Sequence, residues 1–386
     1  MKENWIEQQL IEIANKNLVR SAFVYPAVGA ILEINNNRIL NFSSNDYLNL
    51  SKHPKIIESS IKALEKYGTG STASRLVSGS LTIHDELEKK LAAHKNYPSA
   101  LLFGSGYMTS TGVIPAIAKS SDIIFSDKLV HSCILDGIKL SGAKHIRFKH
   151  NDTSALSTRL DQFADSEKRK IIIVESLYSM DGDLAPLLEI AQLAKKYNAF
   201  LMVDEAHATG TFGPNGSGRV CELNLEDQVD ISMGTISKGM AGYGGFIACS
   251  ENLKKLLVQH ASTFIYTTAP PPSIIGAALG ALEILDEQPY LGKSLQKKAS
   301  FFRNQLKEAN IETISSDSHI IPILIGDNQA TLKIANQLKE ANIIVGAIRP
   351  PTVPEGTARL RISISLAHSN DDLVYTVNQI KKLMKI

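Results

Sequence analysis

The feature that most limits what this chain can fold into is a recurring unit: a short apolar run, a polar or glycine-bearing turn, then a stretch with helical period. The runs fall at Ala100 to Phe103, Ile123 to Ser126, His145 to Phe148, Lys170 to Glu175, Phe200 to Asp204, Ile231 to Gly234 and Gly245 to Cys249. Strands joined by helices pair in parallel through crossovers, so the repeat predicts an α/β fold built on a large, mostly parallel sheet. Most of the runs have no polar face, which implies helices on both sides of that sheet.

Either side of this block the pattern changes. An amphipathic helix is expected over about Trp5 to Leu18, followed by a short β pair between Ala30 and Phe42. After Pro270, Pro271 and Pro272 comes a long helical region, with charge-rich helical period from Leu291 to Ala309. Strands at Ile320 to Ile325, Ile343 to Val345 and Arg359 to Ser365 then alternate with helices at Gln329 to Ala341 and Asn370 to Met384, reading as a smaller α+β domain. The expected division is an N-terminal segment over residues 1–45, a large domain over 46–285 and a small C-terminal domain over 286–386.

Charge narrows the partners. Forty-one Lys plus Arg against 39 Asp plus Glu leaves +2 with no basic tract, so no nucleic-acid partner is expected and small-molecule chemistry is favoured. The first residues mix charges with isolated apolar side chains, unlike a secretory signal, and no apolar stretch is long enough to span a bilayer. A cytoplasmic protein without a membrane partner is the expectation. Cys133, Cys221 and Cys249 lie far apart without a CxxC pair, fitting buried thiols better than a disulfide framework or a zinc site.

In open α/β sheets, ligands bind beyond the carboxyl ends of the strands, where this chain clusters its polar residues. Gly104-Ser105-Gly106-Tyr107 leaves a strand and opens a helix, offering free N–H groups to a phosphate. It also resembles the start of a dinucleotide fingerprint, with Asp127 as the ribose acid, but position 109 is Thr where a third glycine belongs. Asp204 ends an apolar run and His207 follows three residues later. The pair reads either as two groups facing one ligand or as a helix cap and a solvated histidine. Lys238, in Thr-Ile-Ser-Lys-Gly, is either a solvated loop lysine or a Schiff-base nucleophile, with Thr235 placed to donate to a phosphate. Arg359 and Arg361 share one face of a strand, as a solvated edge or as a fork for a carboxylate.

Several segments together resemble the α-oxoamine synthases, pyridoxal-phosphate enzymes of the aspartate aminotransferase fold (fold type I). They are Asn41 to Leu50 (NFSSNDYLNL), Ser71 to Ser80 (STASRLVSGS), ESLYSMDGD, Val203 to Gly213 (VDEAHATGTFG), TISKG and GTARLRIS, in the family's order across nearly the whole chain. Asn49 departs from the glycine usual after Asp-Tyr-Leu. The resemblance implies a pyridoxal 5'-phosphate cofactor and four catalytic residues. Lys238 would hold the cofactor covalently and move a proton at the α-carbon, Asp204 would pair with the pyridine nitrogen, His207 would bond the phenolic oxygen, and His131 would stack on the ring and contact substrate. Gly106, Tyr107 and Thr235 would hold phosphate or the ring edge, Ser179 would touch the cofactor, and Thr267 or Thr268 would reach the phosphate across a homodimer with shared active sites. Arg361 and Asn45 would hold the amino-acid carboxylate, with Arg20, Arg349 and Thr352 for the acyl substrate. The implied reaction is decarboxylative condensation of an amino acid with an acyl thioester. Segments 264–268 and 347–354 most resemble the family member that joins L-alanine to a pimeloyl thioester, which implies that donor on coenzyme A or an acyl carrier protein, the sister chemistry being glycine with acetyl-CoA. A nicotinamide oxidoreductase and an inactive partner subunit are the alternatives of other classes; the second would be expected to lack Lys238.

Overall fold

The computed structural model describes residues 3–385. The chain opens with α1 (Asn4–Asn15) and an antiparallel hairpin of β1 (Ile31–Ile34) and β2 (Asn37–Asn41). Asn35 and Asn36 turn the hairpin at φ 50° and 62°, the left-handed pair that a two-residue turn demands and asparagine tolerates. The middle of the chain runs α2 (Pro54–Tyr67), α3 (Thr82–His94), β3 (Ser99–Phe103), α4 (Gly106–Ile117), β4 (Ile123–Asp127), α5 (Ser132–Ser141), β5 (Lys144–Phe148), α6 (Thr153–Asp161) and β6 (Lys170–Glu175). It continues through α7 (Leu187–Lys196), β7 (Ala199–Asp204), α8 (Arg219–Glu222), β8 (Ile231–Thr235), β9 (Gly245–Cys249), α9 (Glu251–His260), α10 (Ser262–Ile265) and α11 (Pro272–Glu287). The last part holds α12 (Leu291–Glu308), β10 (Ile320–Gly326), α13 (Asn328–Glu340), β11 (Ile343–Ile344), β12 (Gly346–Ile348), β13 (Ala358–Ser363) and α14 (Asn370–Met384).

Two compact units result, residues 1–47, 180–182 and 295–386 in one and residues 48–179 and 183–294 in the other. The larger unit contains a seven-stranded sheet in the order β3-β9-β8-β7-β6-β4-β5. All its strands are parallel except β9, which runs against β8 and β3. Ile171 to Val174 and Leu201 to Val203 are buried throughout, as strands covered on both faces must be, and each such side chain contributes about 1.5–3 kcal/mol.

The smaller unit differs from the expected division. Residues 1–47 do not stand apart: β2 pairs in parallel with β11, and Arg38 of β2 grips Asp372 of α14 through two bonds of 2.5 and 2.9 Å. The expected strand at Ile343 to Val345 is the two-residue β11 beside β2, and a further short strand, β12, follows it in a different sheet beside β13. α1 stops at Asn15, and Asn17 at φ 53° turns the chain before Leu18. Nor do Arg359 and Arg361 lie on a solvated edge. β13 is the middle strand of β10-β13-β12, and both arginines are buried. The three cysteines are free and buried, and among the described residues no helix is long and apolar enough to cross a membrane.

Candidate active site

In the larger unit β3, β4, β5, β6, β7 and β8 all deliver their carboxyl ends to one rim. There the turns enclose a cavity of about 250 Å³ lined by Gly106, Tyr107, His131, Glu175, Asp204, His207, Thr235 and Lys238, with Ser105, Cys133, Ala206, Met233 and Ser237. Seven residues singled out from the sequence therefore meet in one place. Ser179, also buried, follows β6 but does not line this cavity, and Thr267 and Thr268 lie outside it, Thr268 bridging Ser74.

Each position has a local cause. Asp204 ends β7 and its Oδ1 accepts the Ala206 N–H at 2.8 Å, a turn that carries His207 back over the strand end. The Lys238 amine lies 2.8 Å from His207 Nε2. Both Asp204 and His207 are buried, so the reading of a cap beside a solvated histidine does not hold. His131 caps α5: its Nδ1 accepts the Cys133 N–H at 3.2 Å, while its own N–H donates to Glu175 Oε1 at 2.5 Å. Ser105 caps α4 by accepting the Met108 N–H at 3.1 Å. The N–H groups of Gly106 and Tyr107 then open the helix, ahead of the first N–H bonded within it, that of Thr109 to the Ser105 carbonyl, at its positive end. β9 closes against this turn: a Cβ on Gly245 would sit 2.7 Å from the Gly106 nitrogen. Thr235 donates to the Gly244 carbonyl at 2.7 Å and lies 2.7 Å from the Ser237 hydroxyl.

Burial raises the Asp204 carboxyl above its ordinary value against the pull of the Lys238 charge. Burial and the Asp204 charge raise Glu175 well above its own. Desolvation holds His131 low, against Asp204. A site with two buried carboxylates favours a cationic guest that touches Asp204, and a neutral imidazole is suited to lie against an aromatic face. Glu175, Cys133 and Ser237 were not assigned from the sequence. Glu175 had a signal, since it ends an apolar run just as Asp204 does. Asp127 is not available to a ribose: its oxygens take the Leu129 and Asn151 N–H groups at 2.7 and 2.8 Å and His150 Nδ1 at 2.9 Å.

The smaller unit gathers the remaining candidates into two groups. Arg20, Arg349 and Thr352 line a second cavity of about 680 Å³ together with Leu18, Val19, Phe23, Tyr25, Ile344, Ile348 and Lys339. Arg20 reaches the Thr352 hydroxyl at 3.5 Å, and Arg349 donates to the carbonyls of Asn17 and Val19. Burial and the neighbouring Arg20 charge lower the Arg349 guanidinium from its usual value, as expected where cations meet without an acid. The second group is Asn45, Tyr47 and Arg361. Tyr47 donates to Asn45 Oδ1 at 3.0 Å, and the Arg361 charge acts on the buried Tyr47 phenol while Arg361 donates to Ser363 at 2.8 Å.

A lysine amine at a strand end, buried carboxylates and a helix amino end, all on a parallel rim, are what the class I and II aminotransferase fold provides. The chain belongs to that family, aminotransferase class I and II, whose model matches residues 37–380, and it is a pyridoxal-phosphate-dependent enzyme of fold type I. The 8-amino-7-oxononanoate synthase of Saccharophagus degradans is 44% identical over 349 residues, 90% of this chain and 87% of that one. The synthase of the same name from Geobacter sulfurreducens is 38% identical over 383 residues, 98% of each chain. An SPT solved with its PLP internal aldimine superposes with a TM-score of 0.92 at 28% identity, covering 100% of this chain and 98% of that one. The residues fit the cofactor: Asp204 supplies a buried anion for a protonated pyridine nitrogen, Lys238 an amine, and α4 a phosphate-binding end.

Proposed function

We propose that the chain is an 8-amino-7-oxononanoate synthase, joining L-alanine to a pimeloyl thioester with loss of carbon dioxide and release of the thiol, a step of biotin synthesis. The convergence of Lys238, His207, Asp204 and His131 on one cavity supports the chemistry, and the near full-length relatives support the substrates. When bound, pyridoxal phosphate supplies an electron sink for the pair left at the amino acid's α-carbon. Lys238 binds the cofactor covalently and then moves the proton at that carbon. Asp204 would pair with the pyridine nitrogen and keep it protonated, because a buried opposite charge favours the charged form. His207 would bond the phenolic oxygen and His131 would lie against the ring. Gly106, Tyr107, Thr235 and Ser237 serve the phosphate end, and Ser179 steadies the cofactor from its loop.

In this reading Arg361 and Asn45 take the carboxylate of alanine. Arg20, Arg349 and Thr352 take the acyl donor in a cavity whose lining contains three cations, counting Lys339, and no acid. An acetyl group would use little of its 680 Å³, which favours the longer acyl chain over the glycine and acetyl-CoA chemistry. The working unit is a cytoplasmic homodimer with shared active sites, to which Thr267 and Thr268 contribute across the interface. Exposed Leu76, Val77, Tyr243 and Tyr266 are the kind of surface a second copy covers. The deciding assay offers purified protein alanine or glycine against pimeloyl-CoA, pimeloyl acyl carrier protein and acetyl-CoA. Turnover of alanine with either pimeloyl donor supports the proposal, and a preference for glycine with acetyl-CoA overturns it. Light scattering, with mixing of Lys238→Ala and Thr268→Val subunits, tests the shared dimer: a monomer rules it out, and partial recovery of activity supports it.

A further inference from the structure

The rim of the large sheet holds a charged cluster that the chemistry above does not use. His150, just beyond β5, lies between two carboxylates: Nδ1 is 2.9 Å from Asp127 Oδ1 and Nε2 is 2.8 Å from Asp183 Oδ2. Asp127 ends β4, and Asp183 closes the loop that follows β6. Asn151, at φ 51°, turns the chain so that its N–H meets Asp127 Oδ2 at 2.8 Å and its side-chain amide meets Asp183 Oδ2 at 2.7 Å. The edge of the Tyr178 ring stands against the imidazole with centroids 4.5 Å apart.

We infer that His150 is a positioning residue, which by bridging Asp127 and Asp183 locks the two loops that present His131 and Ser179 to the cofactor. The connections are short. Asp127 accepts the Leu129 N–H at 2.7 Å, two residues before His131. Tyr178, next to Ser179, donates its N–H to the Asp183 carbonyl at 3.1 Å, and Leu177 bridges Leu184 at the base of the loop. A neutral group at position 150 would leave two carboxylates facing each other across a half-buried gap. Burial works against charge on His150, but the bonds to Asp127 and Asp183 prevail and carry the imidazole up to about 10, so it stays an imidazolium through neutral pH. Other charges nearby are engaged elsewhere, Lys149 with Asp152 at 3.4 Å and Arg147 on the Lys128 carbonyl at 2.5 Å.

The inference rests on the cofactor assignment but not on the choice of substrates. The test measures pyridoxal-phosphate affinity of the full-length protein from pH 5.5 to 8, with hydrogen exchange of segments 128–131 and 176–179 in the apo protein. His150→Gln should weaken cofactor binding about tenfold at pH 8 and speed exchange in both segments. The defect, taken as a ratio to the parent, should shrink toward pH 5.5 as one of the facing carboxyls takes up a proton. Adding Asp183→Asn removes the unbalanced charge and should restore affinity and flatten the pH dependence. A pH-independent defect with no rescue, or parent-like affinity in His150→Gln, overturns the inference. Should His150→Gln not fold, Asp183→Asn alone decides: faster exchange in 176–179 supports the bridge, and unchanged exchange and affinity refute it. A parent protein that binds no pyridoxal phosphate would instead refute the cofactor assignment.

Discussion

The two cavities of this enzyme are built on opposite principles. The one in the larger unit is small and lined by residues at the ends of β3, β4, β6, β7 and β8, with buried carboxylates at its centre. The one in the smaller unit is larger, lined by coil residues 18–25, by Leu332, Ala335, Asn336 and Lys339 of α13 and by the short strands and turn of 344–352, and its ionic groups are all cations. Strand ends are fixed by a ladder of backbone bonds, so the first cavity can hold reacting atoms to the tolerance that covalent and proton chemistry needs. A cation site built from loops, a helix face and short strands tolerates greater movement, because attraction of an anion depends on net charge and reach. Substitutions in the first should therefore impair chemistry, and those in the second should impair binding.

The sharpest break should come from Lys238→Ala. Turnover is expected to fall about a thousand-fold or more, since covalent attachment and proton transfer go together. Borohydride fixation and peptide mapping of the parent should place the pyridoxyl group on Lys238, and a label on another lysine would refute the assignment. Asp204→Asn keeps the shape of the cavity and removes its central charge. It should retain some cofactor yet lose most turnover per bound cofactor, in line with about 3–5 kcal/mol for breaking a buried ion pair. Near-normal turnover would mean that charge is not what Asp204 contributes.

In the other cavity, Arg20→Ala or Arg349→Ala should raise the KM for the pimeloyl thioester roughly ten- to hundred-fold, with alanine binding and the cofactor spectrum unchanged. A fall in kcat alone would erase the contrast between the two sites. The smallest effect concerns the smaller unit's own cohesion. Asp372 is desolvated, but Arg38 and the Ser369 cap hold its carboxyl down to about 2. A carboxyl lowered on folding stabilises the native state above its ordinary value of 3.8 and loses that contribution as pH falls toward 2. Arg38→Met should therefore lower stability by about 1 kcal/mol near neutral pH, modest because Arg38 is half-exposed, with the gap to the parent closing below pH 4 in thermal melts.

Legibility followed the same divide. Most strands of the large sheet were readable because a strand covered on both faces is a continuous apolar run, and the catalytic candidates were readable because each run ends in a polar turn. Helix ends were harder, since this chain turns many of them with asparagine where glycine is the familiar signal: Asn17, Asn96, Asn198, Asn310 and Asn342 all have positive φ near helix ends. Asn49, the departure from the family's glycine, obeys the same rule at φ 59°. Its turn keeps the left-handed conformation because asparagine adopts it at little cost.

By itself the sequence determined the α/β class and the family and marked the candidate reactive groups, because periodicity and strand-end chemistry are local properties of the chain. Only the tertiary structure decided which distant residues share a site. Lys238 meets His207, and Asp127 turns from a ribose candidate into one wall of the His150 bridge. Arg359 and Arg361 pass from an apparent edge into the middle of a sheet. The N-terminal hairpin joins the C-terminal unit through β2 and β11. Each of these is a pairing between segments far apart in the chain. Local preference cannot specify such pairings, because they arise only when burial of the whole core selects one arrangement of the strands.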